Sequence, residues 1–466
     1  MILRKTACVL GLLVGLSSVA GAQDGSAEGG VSAESDHHIR FDWGYQATVI
    51  TQTAPVFASP YMGPRSFADE GSSRASTTLT TTLYTGLVLW QGAWVSVQPE
   101  FAAGLGVGGG QGIAAYVNQD AVKSGNSIKQ TPYLARVFIH QDISLGSGPG
   151  EAESEGGDGN RDLDAFVADS NSHFESGAKQ RLEITLGKFS LPDFFDSNEV
   201  AGDVHHRLMN WALVNNGSWD YSADARGYTW GIVLGLFEGP ISARLALTAM
   251  PSEANGIQFD KALSEAHAEN AEFSWEFNAS KKGVLRLLAW QNHARMGSYE
   301  EALRSASESG DAAPDITASR HPGRTKRGVG VNIGGDLGEW SAFLRTGWSD
   351  GKNESFAYTE IDRTVSLGVA HAANFLGRPK DTLVMGFVAS GLSSLHRRYL
   401  AAGGIGFQIG DGRLNYACEQ VLEGNYNAQV TRNVSLAIDV QRIWNPGYNH
   451  DRGPISVYGV RIHLHP

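Results

Sequence analysis

The feature that constrains this chain most is an alternation of apolar and polar residues with a period of two, repeated in run after run. From His38 onward, Ile39, Phe41, Trp43, Tyr45, Ala47 and Val49 fall on one face, and Arg40, Asp42, Gly44, Gln46 and Thr48 on the other. Trp94 to Leu105 sets Val95, Val97, Phe101 and Leu105 against Ser96, Gln98, Glu100 and Gly104. Tyr133 to Leu145 separates Val137, Ile139 and Ile143 from Arg136, His140 and Asp142, and Arg181 to Phe189 repeats the pattern. A soluble sandwich alternates too, so the connections decide. Short ones are "QGA" at Gln91, "EGP" at Glu238, "SKKG" at Ser280, "GDLGE" at Gly335 and "TRN" at Thr431. Long ones cover 52–76, 107–131, 190–225, 250–270, 294–326, 349–362, 392–415 and 445–453. Runs of about ten residues suit tilted membrane-crossing strands, and short turns at one end with long loops at the other is the layout of an outer-membrane barrel. The expected fold is therefore all-β: a transmembrane antiparallel β-barrel of about sixteen strands over 38–466, with both termini on the short-turn side.

The chain's beginning fits export. Arg4 and Lys5 precede an apolar run from Ala7 to Leu16 and a small-residue site ending at Ala22, so 1–22 reads as a cleaved signal peptide and 23–37 as a flexible segment. Cys8 lies in that leader, which leaves Cys418 alone in the mature chain and rules out a disulfide framework. Cys418 is expected to act as a small apolar residue, buried or at the lumen edge. Without Arg4 and Lys5, 35 basic residues face 49 acidic ones, a formal charge of −14 that argues against a nucleic-acid partner. Residues 146–180, Gly-rich and acidic, read as a flexible periplasmic insertion on the short-turn side. Trp43, Tyr45, Trp90, Trp94, Trp230, Trp275, Trp340, Trp348 and Trp444 stand near strand ends, where membrane-interface aromatics belong.

Nothing here calls for a catalyst, a cofactor or a metal. "GLGVGG" at Gly104–Gly109 matches a dinucleotide fingerprint but opens no βαβ unit. His37-His38 and His205-His206 are neighbours that would point to opposite faces on extended backbone, and are expected to be surface histidines rather than ligands. The informative stretch is "NWALVNNGSWDYSADARGYTWG", Asn210 to Gly231, which carries five Trp or Tyr rings in a segment with the Asn, Asp, Ser and Gly content of a loop. It lies in the third long connection. A barrel this wide has a water-filled lumen that selects nothing until something narrows it, so 190–225 is expected to fold inward as the constriction. Parity offers Glu100, Arg136, His140, Arg181, Glu183, Glu419 and Arg461 to the lumen, and the loop adds Arg207, Trp211, Trp219, Asp220, Asp224 and Arg226.

Several blocks, in this order, resemble the carbohydrate-selective porins of bacterial outer membranes, the OprB type. They are "RLEITLGKFSLPDFFDSN" (181–198), "RLMNWALVNNGSWDYSADARGYTWG" (207–231), "LRLLAWQNHARMGSYEEAL" (285–303), "YTEIDRTVSLGV" (358–369), "YLAAGGIGFQIGDGRLNY" (399–416) and "NPGYNHDRGPISVYGVRIHLHP" (445–466). The resemblance implies a sixteen-stranded barrel passing monosaccharides, glucose among them, by facilitated diffusion. It also implies contact with outer-membrane lipid and with the barrel assembly machinery, as a monomer or homotrimer. The sequence departs from the family in ending His463-Leu464-His465-Pro466, where members tend to end on an aromatic residue. Competing readings are a general or anion-selective porin of the same fold, a barrel enzyme, and a soluble exported sandwich.

Overall fold

The computed structural model describes residues 40–67, 75–124, 128–146, 179–357 and 359–465. The expected signal peptide at 1–22, the segment 23–37, the His37-His38 pair, Pro466 and residues 147–178 of the expected insertion lie outside the described residues.

The alternating runs become sixteen strands. They are β1 (Phe41–Thr53), β2 (Ser76–Trp90), β3 (Ala93–Gly104), β4 (Tyr133–Ser144), β5 (Gln180–Phe189), β6 (Thr229–Glu238), β7 (Ile241–Ala249) and β8 (His267–Asn278), then β9 (Gly283–Met296), β10 (His321–Leu337), β11 (Trp340–Ser349), β12 (Arg363–Ala373), β13 (Arg378–Gly391), β14 (Glu419–Thr431), β15 (Val434–Trp444) and β16 (Ile455–Leu464). Each pairs antiparallel with its sequence neighbours, and β1 closes on β16 with Val49 opposite Ile462 and Ala47 opposite Leu464. A closed ring leaves no strand edge, so every strand satisfies its backbone groups within the wall, as a membrane requires.

Parity then assigns the two faces. Leu234, Leu236, Leu245, Leu247, Phe273, Leu344, Val365, Leu367, Ile438 and Val460 all point outward and exposed. An apolar belt of that extent is untenable in water, since each such side chain gains about 1.5–3 kcal/mol on leaving it, which removes the soluble-sandwich reading. Two aromatic bands border the belt: Trp43, Trp90, Trp275 and Trp340 at the turn end, Trp230 and Trp348 at the loop end, all exposed. Trp94 corrects the expectation. It shares the parity of Ser96 and Gln98, so it points inward, only 1% exposed, with its ring centroid 5.2 Å from that of Phe138.

The eight long connections, L1 to L8 in chain order, follow the odd-numbered strands. L5 carries helix α1 (Tyr299–Ser309) and L7 carries α2 (Ser394–Ala401), capped by Ser298 and Ser393. Tyr299 stacks on His396 at 4.3 Å and 17°, joining the two helices. "GLGVGG" is the exit of β3 into L2 and begins no helix beyond a short 3-10 turn at Val107–Gly110. The glycine just after it does steric work: a Cβ on Gly112, at φ +76°, would lie 1.7 Å from the Phe67 nitrogen of L1. Cys418, expected buried or at the lumen edge, is instead exposed in L7, because parity is lost in the irregular approach to β14.

Candidate functional site

L3, residues 190–228, leaves β5 and crosses the inside of the ring. It begins with a short 3-10 turn, Leu191–Asp193, in which Ser190 and Asp193 form a capping box and Pro192 suits the first turn. Asp193 also takes a bidentate ion pair from Arg136 of β4, Nε at 2.7 Å and Nη2 at 2.6 Å, which ties the loop's root to the wall. Three residues on, the Asp196 carboxylate forms an ion pair with Arg345 (β11) at 3.1 Å and accepts Nδ2 of Asn332 (β10) at 3.1 Å, while its own N–H donates to Glu272 (β8) at 2.6 Å. The loop has reached the opposite wall.

It then swings back. Arg461 of β16 donates to the Val204 and Arg207 carbonyls at 2.6 and 3.0 Å, and Glu423 of β14 accepts the N–H groups of Met209 and Asn210. Asn210 caps a single helical turn, Trp211–Val214, by accepting the Ala212 N–H at 3.1 Å. Further along, Trp219 donates to Asn270 (β8) at 3.0 Å. The Asp220 carboxylate accepts N–H groups from Phe356 and Ala357 of L6 at 2.7–3.0 Å and pairs with Lys326 (β10) at 3.2 Å. Tyr228 closes the circuit by donating to Glu100 (β3) at 3.0 Å. The wall makes room with inward glycines: a Cβ on Gly330, Gly347 or Gly386 would come within 2.7, 2.2 or 2.6 Å of the loop side chains of Asn216 or Leu208.

Between L2, L3 and strands β2 to β4 lies a polar cavity of about 90 Å³, bordered by Glu100, Asp120, Lys123, Arg136, Asp193, His205, Trp211, Tyr221, Arg226 and Tyr228 among others. At roughly 10–15 Å³ per water centre it holds a handful of waters. Lys123 pairs with Glu100 at 3.1 Å and Arg136 with Asp193 at 2.6 Å, His205 lies 3.6 Å from Asp120, and Arg226 stacks on the Tyr133 ring at 3.7 Å. Burial would raise the Asp120 carboxyl, but His205 and Lys123 outweigh it and hold it at about 2, so it stays ionised. Beside these pairs Trp211 and Tyr221 stack at 6.0 Å and 12°, and Tyr228 presents its ring to Arg136 at 5.3 Å.

The residues singled out from sequence divide accordingly. Arg136, Trp211 and Arg226 border the cavity, with Glu100 beside them. Trp219, Asp220, Asp224 and Glu419 do not border it; each is buried and clasps backbone or wall. Asp224 accepts the N–H groups of Arg226 and Tyr228 within its own turn, at 2.9 and 3.2 Å. Glu419 accepts the Ala114 and Gly447 N–H groups at 2.7–3.0 Å, fastening L2 and L8. Arg181 and Glu183 pair with each other at 2.6 Å near the turn end of β5, and Arg207 is half-buried on L3. His140, inward as expected, bonds Thr185 at 2.7 Å. The His205-His206 pair corrects the expectation of surface histidines: His205 is 4% exposed and stacks on His463 at 5.1 Å and 7°, because L3 dips onto the end of β16. Asp120 and Lys123 were missed because "NQDAVKS" looks like any polar loop; only the folding of L2 into the ring brings them in.

A closed sixteen-strand barrel with an apolar outer belt and a loop laid across its lumen is the architecture of an outer-membrane porin, a channel. The family model of carbohydrate-selective porins, OprB family, matches residues 71–465, and the chain belongs to that family. It is thus a porin for sugars in the bacterial outer membrane. The high-pH structure of Pseudomonas putida OprB shares the fold, with TM-score 0.66 and 15% identity over 91% of this chain and 94% of that one. The low-pH structure of the same protein has TM-score 0.45 at 11% identity, over 91% of this chain and 92% of that one. The outer membrane channel DcaP of Acinetobacter baumannii has TM-score 0.46 at 9% identity, over 93% and 99%. No curated protein sequence matches the chain.

Proposed function

We propose that the channel passes monosaccharides, glucose among them, down their concentration gradient, and that L3 with the facing part of L2 forms its constriction. The observation that carries this reading is the pairing of charges in the cavity beside stacked rings. Sugars offer apolar C–H faces to rings and hydroxyl rims to hydrogen-bonding groups. Paired Lys123–Glu100 and Arg136–Asp193 supply donors and acceptors without a net field that would favour ions. Binding there is weak, on the order of millimolar or poorer, since a tightly held solute would block its own path. In this reading Trp211 and Arg226 touch the passing sugar, Arg181, Glu183 and Arg207 line the approaches, and Trp219, Asp220, Asp224 and Glu419 hold the loops in shape. The leader 1–22 is removed on export, 146–180 faces the periplasm, and the assembly machinery inserts the barrel as a monomer or homotrimer.

Liposome swelling with a sugar panel, alongside planar-bilayer conductance with and without glucose, tests the reading. Monosaccharides should enter faster than disaccharides, and glucose should reduce the ion current in the millimolar range. Free ion conduction with no sugar effect at any concentration would leave a general porin instead.

A further inference from the structure

We propose that His267, Glu269 and His293 form a binding site for one divalent transition-metal ion, of the zinc, copper or nickel class, on the outer face of the barrel wall. The three residues sit at the loop ends of β8 and β9, and parity turns them away from the lumen. On β8 they share a face with Phe273 and Trp275, on β9 with Leu287 and Ala289. Polar residues with metal-ligand chemistry are out of place on such a face. Register gathers them, because His267 stands opposite His293, and Glu269 opposite Gln291. One ligand atom from each lies within 4.8 Å of the others, and the imidazoles stack at 4.5 Å. His267 Nε2 is 3.1 Å from one Glu269 oxygen and His293 Nε2 is 3.5 Å from the other. Tetrahedral bonds of about 2.0–2.1 Å put neighbouring ligand atoms roughly 3.3 Å apart, so both contacts already have the spacing of a loaded site.

The hydrogen bonds around the cluster supply a second, independent reason. The Leu263 carbonyl can only accept, so His267 Nδ1, 2.8 Å away, carries a proton, and Nε2 is the nitrogen turned toward Glu269. Gln291 Nε2 lies 2.8 Å from His293 Nε2, a contact that a bound ion would displace. Two imidazole nitrogens and a carboxylate therefore converge on one point of the wall. A ring whose far nitrogen donates to a carbonyl is also the usual support of a metal-bound histidine. Two imidazoles with one carboxylate select zinc, copper or nickel over calcium and magnesium. The His267 and His293 side chains are 23% and 22% exposed and Glu269 47%, so an ion can reach them.

The test uses the full mature chain in detergent micelles, with Zn²⁺ followed by calorimetry and Cu²⁺ by electron paramagnetic resonance. One equivalent should bind more tightly than the rest at pH 7.5, with the Cu²⁺ spectrum showing coupling to two nitrogens. His267→Ala and His293→Ala should each weaken it at least about 10-fold, and Glu269→Gln by a comparable factor. Lowering the pH to about 5.5, below the ordinary imidazole range, should release the ion. All three side chains point outward, so heat-modifiability confirms that each variant still forms the barrel. A tight equivalent that survives the double His267→Ala, His293→Ala variant, or the absence of any such equivalent in the unaltered chain, overturns the proposal.

Discussion

Toward β8–β11 the third loop is held by charges that reach across and grip main chain. Asp220 accepts two N–H groups of L6, Arg345 donates to the Leu213 and Asp196 carbonyls, and Glu272 accepts the Asp196 N–H. Toward β2–β4 the Glu100 carboxylate is bonded to side chains instead, Lys123 Nζ at 3.1 Å and the Tyr228 hydroxyl at 3.0 Å. A carboxylate that accepts backbone N–H groups has no freedom to serve a solute, since turning away strands a buried donor. A side-chain pair beside water can trade one partner for a sugar hydroxyl at little cost. Residue type alone therefore does not mark a sugar contact; what the group is bonded to does.

Replacing Arg345 with Ala is the strongest way to break this contrast. It leaves Asp196 buried without its cation, which should cost about 3–5 kcal/mol, visible as lower thermal stability and higher ion conductance as the loop comes loose. Unchanged conductance would show that the β8–β11 flank is not what holds the loop. Trp219→Phe probes the same flank more gently. It keeps the ring but removes the 3.0 Å bond to Asn270, so stability should fall by about 1–2 kcal/mol with glucose block unaltered. On the cavity flank, Lys123→Met with Glu100→Gln should do the reverse: stability near that of the parent chain, but glucose block weakened by about 1 kcal/mol, roughly fivefold, as one hydrogen bond is lost. A pair that destabilises the barrel as much as Arg345→Ala would erase the difference between the flanks.

The smallest effect concerns the junction of α1 and α2. Burial disfavours charge on His396, but Asp362 at 3.1 Å and Glu360 at 3.7 Å outweigh it and hold the imidazole above its ordinary range. Burial likewise opposes charge on Asp362, yet His396 and Lys326 keep its carboxyl well below the usual range. The raised His396 contributes fully below about pH 6.5, and that contribution fades as pH rises through its shifted value; the Asp362 contribution fades only as pH falls below about 4. Hydrogen exchange in α1 and α2 should therefore quicken on the alkaline side, and His396→Gln should remove that dependence.

Much of this was legible in the sequence because alternation is local. Strand parity alone identifies Glu100, Arg136 and Arg461 as inward, and turn composition places all eight long connections within a few residues. What could not be read is long-range. Asp196 and Arg345 lie 149 positions apart, and neither carries a mark of the other. Gly330, Gly347 and Gly386 look like weak points in a strand until the loop that needs their space is known. The same limit hid Asp120 and Lys123, and it explains His205, whose burial depends on the loop meeting the last strand.

That meeting has a consequence for how the molecule holds together. Arg461 stands on β16, the strand that zips to β1, and its guanidinium is buried among the Val204 and Arg207 carbonyls, with His463 stacked on His205 nearby. Without the loop that guanidinium would keep only its bonds to Asn425 and Asn427 of β14 and lose the two carbonyls that L3 supplies. The seam strand and the seated loop therefore stabilise each other through Arg461, so a change that loosens one is felt at the other.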